Sequence, residues 1–218
     1  MKIKWKSACY IVGTLFSLSM LFLAVAWGWA DINTWPVKRA LVDWGKAGHI
    51  TNEGMWTKIS RYANVSRRFN LVKADYNFQL AKLYEWRAYQ QRLSPKLHKT
   101  NRQIAGSFYV SSLELRPTWG SAWADLARNN LANVSTKDSG YLALEKALVY
   151  APWEYGVLKN VATLGIINWH GMGDELKTEL RKAIKKLLNN AADKNYFLNL
   201  AKQYQWTKEL ELIQAGQG

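Results

Sequence analysis

The sequence predicts an all-α protein: one apolar N-terminal helix followed by antiparallel helix pairs stacked as a short solenoid. Three observations carry this. Ser7 to Ala30 is a run of 24 uncharged, largely aliphatic residues. As a helix rising about 1.5 Å per residue it is long enough to cross a hydrocarbon core of roughly 30 Å. Beyond it, apolar residues recur at i, i+3, i+4, i+7 and i+8, and no stretch alternates strictly as a strand would. A short block also repeats: Leu80-Ala81-Lys82-Leu83-Tyr84-Glu85-Trp86 returns as Leu200-Ala201-Lys202-Gln203-Tyr204-Gln205-Trp206.

The apolar run follows Lys2, Lys4 and Lys6 and ends at Trp27 and Trp29. Lysines favour the cytoplasmic side and indoles favour the lipid–water interface. The expectation is a single-pass anchor with the N-terminus cytoplasmic and the C-terminal domain outside the cytoplasmic membrane. A cleaved signal peptide is the rival, since Ala24-Val25-Ala26 supplies small residues at a plausible cleavage point. The length of the run and its aromatic end favour retention. The chain then divides into 1–30, a Lys-rich tip and transmembrane anchor; 31–52, a juxtamembrane connector; and 53–218, a helical domain.

A chain of 218 residues leaves room for one soluble domain able to bury a core without staples. The single cysteine, Cys9, lies in the apolar run, so the domain has no thiol and no disulfide framework. The net charge is +14, and without the three N-terminal lysines 27 basic residues face 16 acidic ones. Such an excess suits nucleic acid, anionic lipid or an acidic polymer. Placement outside the cytoplasmic membrane argues against nucleic acid.

The repeat sets the helices. Leu80-Ala81, Leu126-Ala127, Val161-Ala162 and Leu200-Ala201 are equivalent steps, spaced 46, 35 and 39 residues apart, close to a helix–turn–helix unit of about 34 residues. Trp119, Ala122, Trp123, Leu126 and Ala127 share one helical face. Leu158, Val161, Ala162, Gly165, Ile166 and Trp169 share another, as do Phe197, Leu200, Ala201 and Tyr204. Pro117 and Pro152, each five residues after a small residue (Ser112, Ala147), punctuate the pairs. The expected helices are 53–67, then 74–92 with 100–115, 119–131 with 138–150, 154–169 with 173–190, and 193–205 with 207–214. Ser94 to Lys99 is expected to be a loop, and Asp174, after Gly171-Met172-Gly173, a helix cap. Most of the tryptophans are expected to fill the layer between helices.

Chemistry is sparse. His49, His98 and His170 are far apart and form no metal-binding spacing, and no nucleophile elbow or phosphate-binding glycine loop is present. No catalytic residue, cofactor or metal is expected. Glu85, between Lys82 and Arg87, is the acid of most interest. It reads as an ion pair with Arg87 or with a neighbouring helix, and a glycan-processing role would need a second acid that the sequence does not supply. The charge pattern is more informative. From Lys58 to Arg102 there are eleven basic residues against Asp75 and Glu85. Lys177, Arg181, Lys182, Lys185 and Lys186 decorate one helix whose apolar face is Leu176, Leu180, Ala183, Ile184 and Leu187. Such runs are commonly solvated faces; the first also suits lipid headgroups, an acidic glycan or an acidic protein.

Leu80-Ala81…Tyr84, Trp123…Leu126-Ala127 and Ala147…Pro152 resemble tetratricopeptide repeats. The run Leu80 to Ala88, behind a single membrane helix and one short helix, resembles the VpsP family of bacterial exopolysaccharide biosynthesis proteins. That resemblance implies a membrane-anchored, tetratricopeptide-like scaffold, and it brings no catalytic residues. Its implied partners are polysaccharide polymerase, export or copolymerase proteins, with anionic lipid or acidic polysaccharide as further candidates. An envelope assembly or secretion adaptor is the other reading. The expected partner-binding residues are Tyr84, Glu85, Trp86 and Arg87, rimmed by Arg92, Lys96, Lys99 and Arg102. The insertion at Ser94–Lys99 departs from the regular repeat.

Overall fold

A computed structural model describes residues 5–215, so Lys2 and Lys4 of the basic tip lie outside the described residues. Its first element, α1 (Trp5–Ala47), is one helix of 43 residues. It contains the window long and apolar enough to cross a membrane. Residues 9–25 of it are exposed. The connector expected at 31–52 is helical as far as Ala47, even across Pro36. Proline removes one backbone hydrogen bond and crowds the preceding turn. Two side chains bond back in that turn: Asn33 Nδ2 donates to Trp29 O at 2.8 Å and Thr34 Oγ1 to Asp31 O at 2.8 Å. Ala26, Ala30, Val37, Ala40 and Trp44 form a buried stripe at helical spacing. This stripe, not local propensity, keeps the helix running. It ends where Gly48 adopts φ +72°, a conformation that side chains disfavour.

Among the described residues nine helices follow: α2 (Glu53–Phe69), α3 (Ala74–Gln90), α4 (Pro95–Leu115), α5 (Gly120–Leu131), α6 (Lys137–Tyr150), α7 (Tyr155–Ile167), α8 (Asp174–Leu187), α9 (Ala191–Gln203) and α10 (Thr207–Gln214). Short 3-10 turns occupy Val134–Thr136 and Trp169–Gly171. Among the described residues there is no strand, and the helices pack as neighbouring pairs. The pairs are antiparallel. Ser112 Oγ near the end of α4 donates to Ala74 O at the start of α3 (2.9 Å), while His98 at the start of α4 reaches Ala88 O near the end of α3 (3.0 Å).

Two expectations are corrected. Ser94–Lys99 is not a loop: Pro95 opens α4 at its first position, where a missing N–H costs nothing. Asp174 is not the cap of α8 but its first residue, with Gly173 preceding it as the cap.

Two apolar cores result. One joins α1, α2 and α3 through Val37, Trp44, Ile50, Ile59, Ala63, Leu80 and Leu83. The other runs from Ala81 to Ile213 through every later pair. Small residues sit where helices touch. An added Cβ at Gly120 would stand 2.3 Å from the Ala151 Cβ, so the start of α5 abuts the end of α6. Trp44, Trp169 and Trp206 are buried, and Trp56, Trp86, Trp119 and Trp123 pack against the cores as expected of filler. Trp27, Trp29, Trp35 and Trp153 are exposed.

Candidate functional site

Helices α3, α4 and α5 surround a cleft of about 370 Å³ lined by Gly48, Lys82, Glu85, Trp86, Tyr89, Arg102 and Arg128. Its base is a carboxylate. Glu85 is buried on the face of α3 turned toward α4 and α5. Tyr109 Oη donates to its Oε2 at 2.6 Å and Arg128 Nη2 to the same oxygen at 3.0 Å. Arg102 Nη1 and Arg128 Nε donate to Oε1, both at 3.3 Å. Lys82 Nζ stands 3.7 Å away. Asp125 extends the cluster, pairing with Lys82 at 3.0 Å and with Arg128 at 2.6 Å. Three cations therefore enclose two carboxylates, leaving a net positive centre.

Burial alone would raise the Glu85 pKa. The charges of Arg128 and Lys82, with hydrogen bonds from Arg128 and Tyr109, outweigh it and hold the carboxyl well below its ordinary range. Burial and the Glu85 charge push the Tyr109 hydroxyl well above its ordinary value, so it stays protonated and donates. A carboxylate so held has no proton to give near neutral pH, which is what a glycosidic general acid must do.

The expected site residues separate into three groups. Glu85, Trp86 and Arg102 meet in the cleft. Tyr84 and Arg87 face the other way, toward α2. Tyr84 lies edge-on to Trp56 and stacks with Phe108, while Arg87 pairs with Glu53 and covers the Trp56 ring at 4.7 Å. Glu85 thus pairs with neighbouring helices and not with Arg87. Arg92, Lys96 and Lys99 are exposed around the α3–α4 turn, Arg92 lying over the Tyr89 ring at 5.0 Å. Sequence reading missed Tyr89, Tyr109, Asp125 and Arg128. The repeat held a signal for one of them: Lys82 and Arg128 are 46 residues apart, the same step as Leu80 to Leu126.

The charged face continues along the first helices of the later pairs. Asn160 on α7 reaches Asp125 at 3.5 Å, and Thr163 meets Tyr196 on α9 at 3.2 Å. Lys159 donates to the buried Asp193 of α9 at 2.8 Å, and Tyr155 donates to both its oxygens at 2.9 Å. One face of α3, α5, α7 and α9 is thereby stitched by polar side chains.

A larger groove, about 690 Å³, lies between α6 and α8. Its polar rim is Glu145, Glu175 and Glu179 around Leu148, Val149 and Leu176, with no cation among its lining residues. It offers shape without converging chemistry. The cleft at Glu85 combines cations, exposed aromatic surface and a fixed frame, and is the stronger site. Among the described residues no three His, Cys, Asp or Glu side chains gather as a metal site would need. No protein-family model and no curated protein sequence matches the chain.

Proposed function

We propose that this chain is a membrane-anchored scaffold whose stacked helix pairs bind an acidic segment of a partner protein. The observation that supports this reading is the cleft at Glu85. Its cations are locked in place by internal carboxylates, and Trp86 and Tyr89 meet edge to face at 5.9 Å along its wall. Preorganised charge lowers the entropic cost of recognition, and Arg beside aromatic rings is the usual composition of an interface anchor. The exposed Arg92, Lys96 and Lys99 form an electrostatic rim that would speed encounter with an acidic partner.

The anchor would cross a bacterial inner membrane once, placing the domain in the periplasm. The likeness of Leu80–Ala88 to the VpsP family supports a place in exopolysaccharide or capsule production, with polymerase, export or copolymerase proteins as partners and the acidic polymer as a second ligand. The test is affinity capture of tagged full-length protein from gently solubilised membranes, read by mass spectrometry. Recovery of polysaccharide polymerase or export proteins, weakened by Tyr89→Ala and Arg92→Ala, is the expected result. Recovery of secretion or respiratory-assembly proteins instead would keep the scaffold and discard the polysaccharide role. Recovery indifferent to both substitutions would discard the cleft.

A further inference from the structure

The turn between α2 and α3 carries three apolar side chains with nothing to cover them. Phe69 is 46 % exposed, Leu71 66 % and Val72 69 %. Between them Asn70 is buried and holds the turn shut, its N–H bonded to Ser66 O at 3.2 Å. The apolar side chains therefore protrude from an ordered loop. An isolated surface leucine needs no explanation, but three large apolar groups within four residues at one turn tip do.

The position of this turn along α1 says what covers it. Lys73 Nζ and Tyr76 Oη, immediately after the turn, both reach Asp31 Oδ1 on α1, at 2.5 and 2.8 Å. On the same helix Ala26 and Ala30 are buried, although their neighbours Trp27 and Trp29 are exposed. The turn is thus fixed beside the last apolar residues of α1, at the level of the two indoles. If α1 spans a membrane, that level is the lipid–water boundary on the domain side. Arg68 is exposed beside the apolar tip, a charge that suits anionic headgroups. Lys73 is tied to Asp31 and sets the depth of the turn.

We infer that Phe69, Leu71 and Val72 insert into the headgroup–acyl boundary of the bilayer that α1 crosses, making the α2–α3 turn a second membrane contact. Two separate contacts, one spanning and one interfacial, stop the domain from tilting about its anchor. The inference rests on the membrane-spanning reading of α1 and adds a site that reading does not require.

Depth-dependent quenching tests it. Full-length protein carrying Cys9→Ser receives one new cysteine, labelled with an environment-sensitive fluorophore. The protein is reconstituted in phosphatidylcholine–phosphatidylglycerol vesicles containing spin-labelled lipids. Labels at Leu71→Cys and, independently, Val72→Cys should be quenched by spin labels near the headgroup. A label at Leu18→Cys should be quenched by spin labels deep in the acyl chains. A label at Leu97→Cys, on the first turn of α4 at the opposite end of the pair, should be unaffected. Quenching at 18 without quenching at 71 or 72 would overturn the inference and leave the anchor standing. Absence of quenching at 18 would remove the anchor, and the inference with it.

Discussion

Tyr109 Oη lies 2.6 Å from Glu85 Oε2, a buried hydroxyl donating to a buried carboxylate between α4 and α3. Arg102 and Arg128 complete the shell from α4 and α5. One side chain thus joins the end of the first pair to the start of the second. Such a group is costly to leave half-satisfied and informative to disturb.

Glu85→Gln removes the charge that Arg102 and Arg128 share. Breaking a buried pair while leaving its partners in place costs about 3–5 kcal/mol. Tyr109→Phe, which deletes a single hydrogen bond to a charged group, should cost about 1.5–3 kcal/mol. Thermal melts of the detergent-solubilised protein should rank wild type above Tyr109→Phe, and Tyr109→Phe above Glu85→Gln. The reverse ranking would mean that the charge is compensated elsewhere.

Acid should unfold the domain through the same group. The Glu85 pKa is depressed in the folded protein, so its contribution is fully present above its ordinary value near 4.5 and is lost as pH falls toward the folded value. Asp193, lowered mainly by the Lys159 hydrogen bond, acts in the same direction. The melting temperature should be nearly flat from pH 8 to about 5 and drop below about 4.5. In Glu85→Gln the drop should be shallower.

Gly120→Ala places a methyl group 2.3 Å from the Ala151 Cβ and 3.3 Å from the Ala151 backbone nitrogen. Overpacking of this kind costs about 1–3 kcal/mol. Gly156→Ala, where an added Cβ meets nothing within 4 Å, is the matched control and should melt like the parent protein.

Asp193→Asn weakens the acceptor shared by Tyr155 and Lys159, which ties α9 to α7. Amide exchange should quicken in α9 and α10 and stay unchanged in α3 to α5, as expected of stacked units that depend on their neighbours. Exchange rising equally throughout would contradict that division.

Trp44→Ala empties a fully buried site between α1 and α2. A loss of about 3–5 kcal/mol is expected for a cavity of that size. A negligible loss would show that α2 does not depend on α1 for its core.

The helical pairs were readable because Leu-Ala steps, apolar periodicity and the two prolines are local signals. From α2 on, helix ends lie within about three residues of expectation for this reason, the start of α4 excepted. Two features were not readable in the same way. Pro36, Gly45 and Gly48 make 31–52 look like a linker, yet Ala26, Ala30, Val37, Ala40 and Trp44 are buried on one face and override them. Similarly, Pro95 reads as a breaker until Ser94 is seen to precede a first helical turn. Of the cleft, Glu85, Trp86 and Arg102 were found by their place in the repeat and in a basic cluster. Asp125 and Arg128 flank the Leu126-Ala127 step, and their side-chain bonds from α5 to Lys82 and Glu85 on α3 give them a role. Arg87 stands two residues after Glu85 in sequence. A helix turns about 100° per residue, so two positions along it face elsewhere, and Arg87 meets Glu53 instead.

If α1 spans a membrane, its continuity makes orientation there a mechanical property of the whole chain. Gly48, where the cleft begins, is 18 positions beyond Ala30, a rise of about 27 Å. A helix continuous from Trp5 to Ala47 then works as a ruler and an axle together. The partner proposed above would have to present its acidic segment at that altitude. Adding one residue within the span would lift the cleft by about 1.5 Å but swing its compass bearing by about 100°. Bearing would therefore be far more sensitive than altitude to the register of the anchor.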